Sequence, residues 1–335
     1  MEILKQIALG LFGILPGNYS GITHIAADTY AVVNDKDTTD GFLLLELSLD
    51  PQTGKVRQAA MKEPLGMAQR RNRGEGTSRD CEGIAYCPDT QTLFVSGEAD
   101  QRVVEYTLDG VPTGRELRVP LLLQQESIRS NQGFEALCYE SSSRLLWTVT
   151  ESTLPQDGAS ASLQHKDVRN RLRLTSFALD MQRQAQYAYQ MDLPTVPSNK
   201  GGYALGVPSL CFLPDGRLLV MEREAYVSPG KLRSFCRIKL YAVQPDKRYR
   251  VQDAEPLSSL PDACFLPKTL LADFTTRLRP GRMNFANYEG MCLGPTLEDG
   301  RQTLILLADS QGGMGNRLYH LKDYVRVIVL DARQR

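Results

Sequence analysis

Short apolar runs separated by turn residues recur along the chain in one pattern. Each unit opens on a small or acidic residue, passes through an apolar run, a turn and a second apolar run, and ends on an acidic residue. The turns include Pro88-Asp89-Thr90, Ser141-Ser142-Ser143 and Pro214-Asp215-Gly216, which are typical of hairpins. The paired runs predict five antiparallel strand pairs: 19–25 with 30–35, 81–87 with 92–98, 134–139 with 145–151, 208–213 with 217–224, and 288–293 with 303–309.

A third apolar run follows each pair, and a fourth follows most of them. Third strands are predicted over 43–49, 103–108, 172–179, 238–243 and 325–330. Fourth strands are predicted over 56–61, 116–119 and 185–191, with a weaker candidate at 270–274. Four antiparallel strands repeated around an axis are the signature of a β-propeller. We therefore expect an all-β fold, a β-propeller with five blades. The alternatives are a sixth blade in the poorly patterned stretch 245–285 and an open β-sandwich.

The fifth unit has no fourth strand of its own after 325–330. The N-terminal run Ile3–Leu11 can supply that strand and close the ring, so that no sheet edge is left exposed. This closure implies a single domain over residues 1–335. The stretch Ile7–Leu15 has the length of a signal-peptide core. However, an acidic residue stands second and no small-residue cleavage site follows, so we interpret the stretch as structural.

Composition excludes several classes of protein. The 335 residues carry 39 Lys and Arg against 39 Asp and Glu, so there is no basic excess of the kind that nucleic-acid binders show. No apolar run reaches the ~18–20 residues of a membrane span. The seven cysteines are scattered, and none of the three histidines stands at ligand spacing from one of them. We therefore expect buried free thiols rather than a zinc site.

The propeller geometry gathers acidic residues on one face. The first strand of each blade lines the central channel and the second runs antiparallel to it, so the start of one and the end of the other lie together. The first strands start at Ser20, Glu82, Glu135, Ser209 and Glu289. The second strands end at Asp35, Glu98, Glu151, Glu224 (with Glu222) and Asp309. The separations within the pairs are 15, 16, 16, 15 and 20 residues, and this regularity supports the register.

Carboxylates packed this closely repel one another and raise one another's pKa values, so a cation or basic side chains must compensate. Oxygen ligands favour Ca²⁺ or Mg²⁺ as the divalent cation. The candidate metal ligands are Glu82, Glu135, Glu289, Glu98, Glu151 and Asp309. Basic side chains near them are Arg79, Arg223 and Arg282. The alternative is that the acidic residues bind loop N–H groups or pair with arginine and hold no ion.

Four segments carry a resemblance to a known family. Arg79-Asp80-Cys81-Glu82-Gly83-Ile84, Gly133-Phe134-Glu135-Ala136-Leu137, Asn287-Tyr288-Glu289-Gly290-Met291 and Asn18-Tyr19-Ser20-Gly21-Ile22 resemble the phytase-like family, described as "esterase-like activity of phytase". The resemblance extends over roughly 16–331. It implies a periplasmic or secreted propeller that hydrolyses a phosphoester or an ester. Propeller phytases use Ca²⁺ ions in acidic clusters, with Lys and Arg holding phosphate. This sequence has the acidic face and the arginines but no dense run of aspartates.

Other chemistries fit the sequence less well. There is no GxSxG motif, and Ser20 and His24 would lie ~13 Å apart along one strand, too far for a hydrogen bond. Gly312-Gly313-Met314-Gly315 lacks the Lys-Ser/Thr of a phosphate-binding P-loop, so we interpret it as a loop. The basic run Arg70-Arg71-Asn72-Arg73 is expected to form a solvated loop, or to grip an anion if it folds over the acidic face.

Two functions from different classes stay open. The first is a metal-assisted hydrolase of a small phosphate or carboxylic ester. In it, Glu82, Glu135 and Glu289 hold an ion that polarises the substrate and activates water, while Arg79, Arg223 or Arg282 neutralises the leaving anion. The second is a non-catalytic propeller that binds a ligand or partner on the same face, with a structural ion or an arginine-paired acidic face. In either case we expect a monomer with no nucleic-acid partner and no membrane span.

Overall fold

Antiparallel sheets of four short strands surround a central channel. The computed structural model describes residues 1–35, 41–62, 79–124, 127–128, 133–316 and 319–331. Two N-terminal strands come first, β1 (Glu2–Ile3) and β2 (Ile7–Ala8). Blade 1 then contains β3 (Tyr19–Ala26), β4 (Thr29–Asn34), β5 (Leu43–Leu49) and β6 (Val56–Met61). Blade 2 contains β7 (Cys81–Cys87), β8 (Thr92–Gly97), β9 (Arg102–Thr107) and β10 (Pro112–Glu116).

Blades 3 and 4 follow the same order, and blade 4 has the longer strands. Blade 3 contains β11 (Phe134–Glu140), β12 (Leu145–Thr150), β13 (Arg171–Ala178) and β14 (Arg183–Gln190). Blade 4 contains β15 (Gly202–Phe212), β16 (Leu218–Val227), β17 (Ser234–Val243), β18 (Lys268–Arg279) and β19 (Arg282–Met283). The first strands contact one another in the cyclic order β3, β7, β11, β15, β20 and back to β3. The architecture is therefore a five-bladed β-propeller, as predicted.

Both ends of the chain build blade 5. It contains β20 (Asn287–Thr296), β21 (Gln302–Asp309) and β24 (Tyr324–Val329), and β24 pairs with both β1 and β2. A small hairpin, β22 (Gly315–Asn316) with β23 (Tyr319–His320), lies between β21 and β24. The predicted closure by the N-terminal run is confirmed, although Leu9–Phe12 in that run forms a 3₁₀ helix.

The hydrophobic core is divided into five layers, each between two neighbouring blades. One layer, for example, joins Tyr30 and Leu45 of blade 1 to Ile305 and Val325 of blade 5. The other four lie between blades 1 and 2, 2 and 3, 3 and 4, and 4 and 5. Each blade is thus buried on both faces, which explains why its strands read as continuous apolar runs rather than as an alternation.

One detail of the strand prediction was wrong. Blade 2 has its fourth strand at Pro112–Glu116 rather than at 116–119. That strand is exposed throughout, so no apolar pattern marked it. The alternative of a sixth blade in 245–285 is not realised. This stretch forms three 3₁₀ helices, β18 and β19, and β18 pairs with β17 and contains the weaker strand candidate 270–274.

No helix in the ranges given above is both long and apolar enough to cross a membrane. Six of the seven cysteines are buried, and all seven are free thiols, as the sequence predicted.

Candidate functional site

Each blade carries a β-bulge at the same place, near the start of its first strand. The register shifts lie after Tyr19, Cys81, Phe134, Gly206 and Tyr288, which pair with Asn34, Gly97, Thr150, Arg223 and Ala308 of the second strands. A bulge inserts an extra residue and re-aims its side chain. In blades 2, 3 and 5 the residue directly after this pair is Glu82, Glu135 or Glu289. The same backbone irregularity therefore recurs in every blade around the mouth of the channel.

Three of the predicted ligands converge on one point. One carboxylate oxygen from each of Glu82, Glu98 and Glu135 lies within 4.8 Å of the other two. Glu82 also belongs to a second group with Asp35 and Asp80, again within 4.8 Å. Two ligands on opposite sides of a Ca²⁺ ion are about 4.8 Å apart, since each Ca–O bond is ~2.4 Å. The two groups have the size and the oxygen chemistry that a hard divalent cation requires.

Glu82 and Glu135 are 8% and 7% exposed. Among the described residues, no hydrogen-bond donor or basic side chain contacts either carboxylate directly. Burial raises the pKa of Glu82 well above its ordinary value, and the charges of Glu135 and Glu289 raise it further. Burial likewise raises the pKa of Glu135, with a further rise from Glu151 that the charge of Arg223 partly offsets. Two buried carboxylates that no described base contacts directly are costly, and a bound cation would reduce this cost.

Arg223 of β16 compensates the other side of the cavity. Its guanidinium donates to Glu151 across 2.8 Å and forms a second ion pair with Glu289. Burial alone lowers the pKa of Arg223, but the charges of Glu289 and Glu151 outweigh it and hold that pKa above its ordinary value. Burial raises the pKa of Glu289, and Arg223 offsets part of this rise. Nε of Arg223 is buried with no acceptor in reach among the described residues.

Two of the predicted ligands accept hydrogen bonds from backbone amides: Glu98, which also belongs to the convergent group, and Asp309, the remaining one. Glu98 accepts a hydrogen bond from the Gly133 N–H at 3.0 Å, and Asp309 accepts one from the Gln311 N–H at 2.6 Å. Burial, with a contribution from the charge of Glu289, raises the pKa of Asp309 to about 9. The six predicted ligands thus divide into a convergent group, an arginine-paired group and a backbone-bound residue.

Gly83 explains why a glycine follows Glu82. A Cβ at Gly83 would lie 2.6 Å from the carbonyl oxygen of Glu135, closer than real Cβ atoms approach. The same holds at Gly290, where a Cβ would lie 2.9 Å from the Ser20 carbonyl oxygen. The first strands of neighbouring blades therefore pack with their backbones in contact, and this contact brings the glutamates together.

Arg79 lies beside the site rather than in it. Its guanidinium donates to both oxygens of Asp100, to the Tyr106 hydroxyl and to the Arg102 carbonyl. It is 7% exposed and does not line the cavity described below. These contacts position the segment that leads to Asp80 and Glu82.

Blade 4 departs from the predicted ring. Its bulge follows Gly206, so Val207 takes the place of the inner-ring glutamates, and Ser209 pairs with Met221 further along the strand. Glu224 accepts hydrogen bonds from the Thr195 and Val196 amides, and Glu222 is bound by Tyr189 and Lys268. Since both glutamates have structural partners, blade 4 contributes Arg223 to the channel mouth instead of an acid.

The sequence interpretation did not assign Asp35 and Asp80 as ligands. Asp80 stands two positions before Glu82, directly before the first residue of β7, so strand alternation does not predict where its side chain lies. It adopts a left-handed backbone with φ of 55°, a conformation that is uncommon outside glycine. The basic run Arg70-Arg71-Asn72-Arg73 lies outside the described residues.

A cavity of about 1130 Å³ lies at the channel mouth, and we call it the acidic cavity. Its walls carry Asp35, Glu82, Glu98, Glu135, Glu151, Glu289, Asp309 and Arg223, with apolar side chains such as Leu163, Val227 and Phe285. None of the three histidines is among its lining residues, and Ser20 donates its hydroxyl to the Cys81 carbonyl. The described walls thus offer carboxylates and a guanidinium rather than a serine–histidine pair.

The solved structures that resemble this chain have low sequence identity to it. An endo-arabinase from Bacteroides thetaiotaomicron is 10% identical, with a TM-score of 0.48 over 97% of this chain and 98% of that one. An α-L-arabinanase from Penicillium chrysogenum is 11% identical, with a TM-score of 0.45 over 98% and 99%. A luciferin-regenerating enzyme is 11% identical, with a TM-score of 0.42 over 94% of each chain. Similarities this distant carry no argument about substrate.

Among curated proteins there is no sequence match. Residues 14–311 match the family model for phytase-like proteins, which is described as esterase-like activity of phytase. The match contains all five bulges and every carboxylate of the acidic cavity. The chain therefore belongs to the phytase-like family.

Proposed function

We propose that the protein is a metal-assisted hydrolase of a small phosphate or carboxylic ester, with its site in the acidic cavity. The observation that carries this proposal is the pair of carboxylate groups sharing Glu82, in which Glu82 and Glu135 are buried and have no direct hydrogen-bond donor or ion-pair partner among the described residues. Glu82, Glu98 and Glu135 would hold one divalent cation, Ca²⁺ or Mg²⁺, and Asp35 and Asp80 would complete a second position beside it. When bound, such a cation supplies Lewis-acid polarisation of a phosphoryl or carbonyl oxygen.

The protein side chains have separate parts in this scheme. Arg223, held by Glu151 and Glu289, places a fixed positive charge at the cavity wall, where it stabilises negative charge that develops on the substrate. Arg79 is a positioning residue that acts through the segment of Asp80 and Glu82. We also propose that the protein acts as a monomer. A periplasmic or secreted location rests on the family alone.

The charge of the acidic cavity limits the class of substrate that it can bind. The described walls carry seven carboxylates and one guanidinium, so the cavity keeps a negative balance even with two divalent cations bound. Such a site favours an ester with few negative charges and disfavours a highly phosphorylated one. The apolar side chains Leu163, Val227 and Phe285 would contact the organic part of the substrate.

The first test is a thermal melt of EDTA-stripped protein with Ca²⁺, Mg²⁺, Mn²⁺ or Zn²⁺ added back singly. A cation at 100 times its Kd stabilises the folded state by ~2.7 kcal/mol, and Glu135→Gln should abolish the increase. Glu46→Gln is the matched control, because Glu46 is exposed and pairs with Lys62 away from the cavity. A selective increase that only Glu135→Gln removes supports the site. No increase with any cation rejects the metal-assisted scheme.

The second test is a screen of carboxylic esters and phosphomonoesters with the stabilising cation present. We expect turnover that requires the cation and is lost in Glu82→Gln while the melt still shows a folded protein. The bridge from Glu151 through Arg223 to Glu289 favours a second candidate, a binding propeller whose acidic face is neutralised by arginine. Cation binding without turnover of any ester would favour that candidate.

A further inference from the structure

Blade 4 carries a second cavity, which the proposed hydrolase does not use. Strand β16 continues for four residues beyond Arg223, which adds ~13 Å beyond the point where β8 and β12 end. Ala225 and Val227 of this extension line the acidic cavity together with Arg223. Tyr226 faces a separate cleft of about 1280 Å³. Because side chains alternate along a strand, β16 forms a wall between the two.

Four arginines line this cleft, which we call the arginine cleft: Arg233, Arg237, Arg277 and Arg279. Arg237 and Phe235 of β17 lie opposite Thr275 and Arg277 of β18, on one face of the sheet. Arg277 lies over the Phe235 ring, with its guanidinium carbon 5.8 Å from the ring centroid. Phe235 and Tyr226 are in ring contact and form a buried aromatic floor.

Among the described residues, three of the four arginines have no acidic partner. Arg237 pairs with Asp273 through two hydrogen bonds of 2.9 and 2.6 Å. Within the described ranges, no carboxylate lies within ion-pair distance of Arg233, Arg277 or Arg279. The lining of the cleft therefore has four positive charges and one negative charge, in a protein whose formal net charge is zero.

The backbone keeps these residues together at some cost. Arg233 adopts a left-handed conformation with φ of 76° at the end of the turn between β16 and β17. Left-handed backbone is unfavourable for a long side chain, and such strain often marks a functional position.

We propose that the arginine cleft is a binding site for a ligand that carries two or more phosphoryl groups. A carboxylate is satisfied by one guanidinium fork, whereas a phosphoryl group has three acceptor oxygens and accommodates more than one. Each phosphoryl group carries about −1.5 to −2 charges near neutral pH, so two of them balance the three unpaired arginines. The aromatic floor would contact the organic part of the ligand. This site is separate from the acidic cavity, whose negative charge repels the same anions.

The test is calorimetric titration of EDTA-treated protein with tripolyphosphate at low salt. We expect binding that weakens as salt is added, because exposed charges are screened. Arg277→Gln combined with Arg279→Gln should weaken it by at least about tenfold, since each substitution removes a charge-assisted contact. Arg248→Gln is the matched control; Arg248 is 77% exposed and pairs with Asp246 away from the cleft. Arg279 and Arg248 are exposed and Arg277 is half-buried, so both variants should stay folded at the temperature of the titration, which matched melts verify.

Two further ligands test the chemistry. Tricarballylate carries three carboxylates, and a short polyglutamate peptide represents an acidic protein partner. We expect each to bind at least about tenfold more weakly than tripolyphosphate. Equal or tighter binding of either overturns the assignment to phosphoryl groups. Absence of tripolyphosphate binding up to about 1 mM, or equal weakening by the double variant and the control, overturns the site itself.

Discussion

Replacing Arg223 by methionine should destabilise the cation-free protein more than any exposed arginine replacement. The side chain of Arg223 is 6% exposed, and those of its partners Glu151 and Glu289 are 13% exposed. Removing one member of such a buried group leaves uncompensated charges, which costs about 3–5 kcal/mol. An unfolding entropy of ~2.1 cal/mol/K per residue gives roughly 0.7 kcal/mol/K for this chain. The Tm should therefore fall by about 4–7 °C.

The assay is a differential scanning melt in EDTA at pH 8, with Arg217→Met as the control. Arg217 pairs with Asp215 on the hairpin between β15 and β16, and these side chains are 28% and 22% exposed. A pair of this exposure contributes less than about 1 kcal/mol, so the control should lose no more than ~1–2 °C. Divalent cation should restore more stability to Arg223→Met than it adds to the parent, because Glu151 and Glu289 become available to bind it. Equal losses in Arg223→Met and the control would refute the reasoning.

Three other predictions follow from the cavity and the ring. In EDTA, the free energy of unfolding should fall as the pH rises from about 4 towards 9. In the unfolded chain Asp309 ionises near the ordinary aspartate pKa of 3.8. In the folded protein burial raises the pKa of this carboxyl to about 9 and keeps it protonated. A Tm that is flat over this range, or equally steep in Asp309→Asn, would contradict the assignment. Gly83→Ala should destabilise by about 1–3 kcal/mol through the contact with the Glu135 carbonyl, whereas Gly10→Ala, with open space around it, should not; matched melts distinguish them. Deleting residues 1–8 removes the strands that pair with β24, so denaturant unfolding should show a lower midpoint and size-exclusion chromatography should show association through the freed edge.

The blades were predictable because their inner strands are buried on both faces. Paired apolar runs such as 92–98 and 145–151 therefore stand out from the polar turns between them. The exposed strand Pro112–Glu116 was missed for the opposite reason, since no core contact selects apolar residues there. The apolar pattern thus predicts the strands that form the layers between blades, and it does not predict the exposed outer strands.

The acidic cavity was predicted in outline and not in detail. Repeated spacing located Glu82 and Glu135 on one face, but no pattern revealed the bulges that turn them into the channel. In blade 4 the motif Pro208-Ser209 suggested the wrong register by two positions, which hid Val207 and the pairing of Arg223 with Glu151 and Glu289. The division between a convergent group and an arginine-paired group depends on distances of a few ångströms between blades, which sequence spacing does not encode.

The closure of blade 5 by both ends of the chain has a kinetic consequence. Gln6 and Arg326 are hydrogen-bonded although 320 positions separate them, so this contact cannot form until Arg326 has been synthesised. Until then, the apolar surface of blade 1 that faces Ile305 and Val325 has no neighbour. Contacts between such distant positions slow folding, and unpaired strand edges favour association between chains. The final docking of β24 should therefore be the slow step of folding, and the stage at which a nascent chain most needs protection by chaperones.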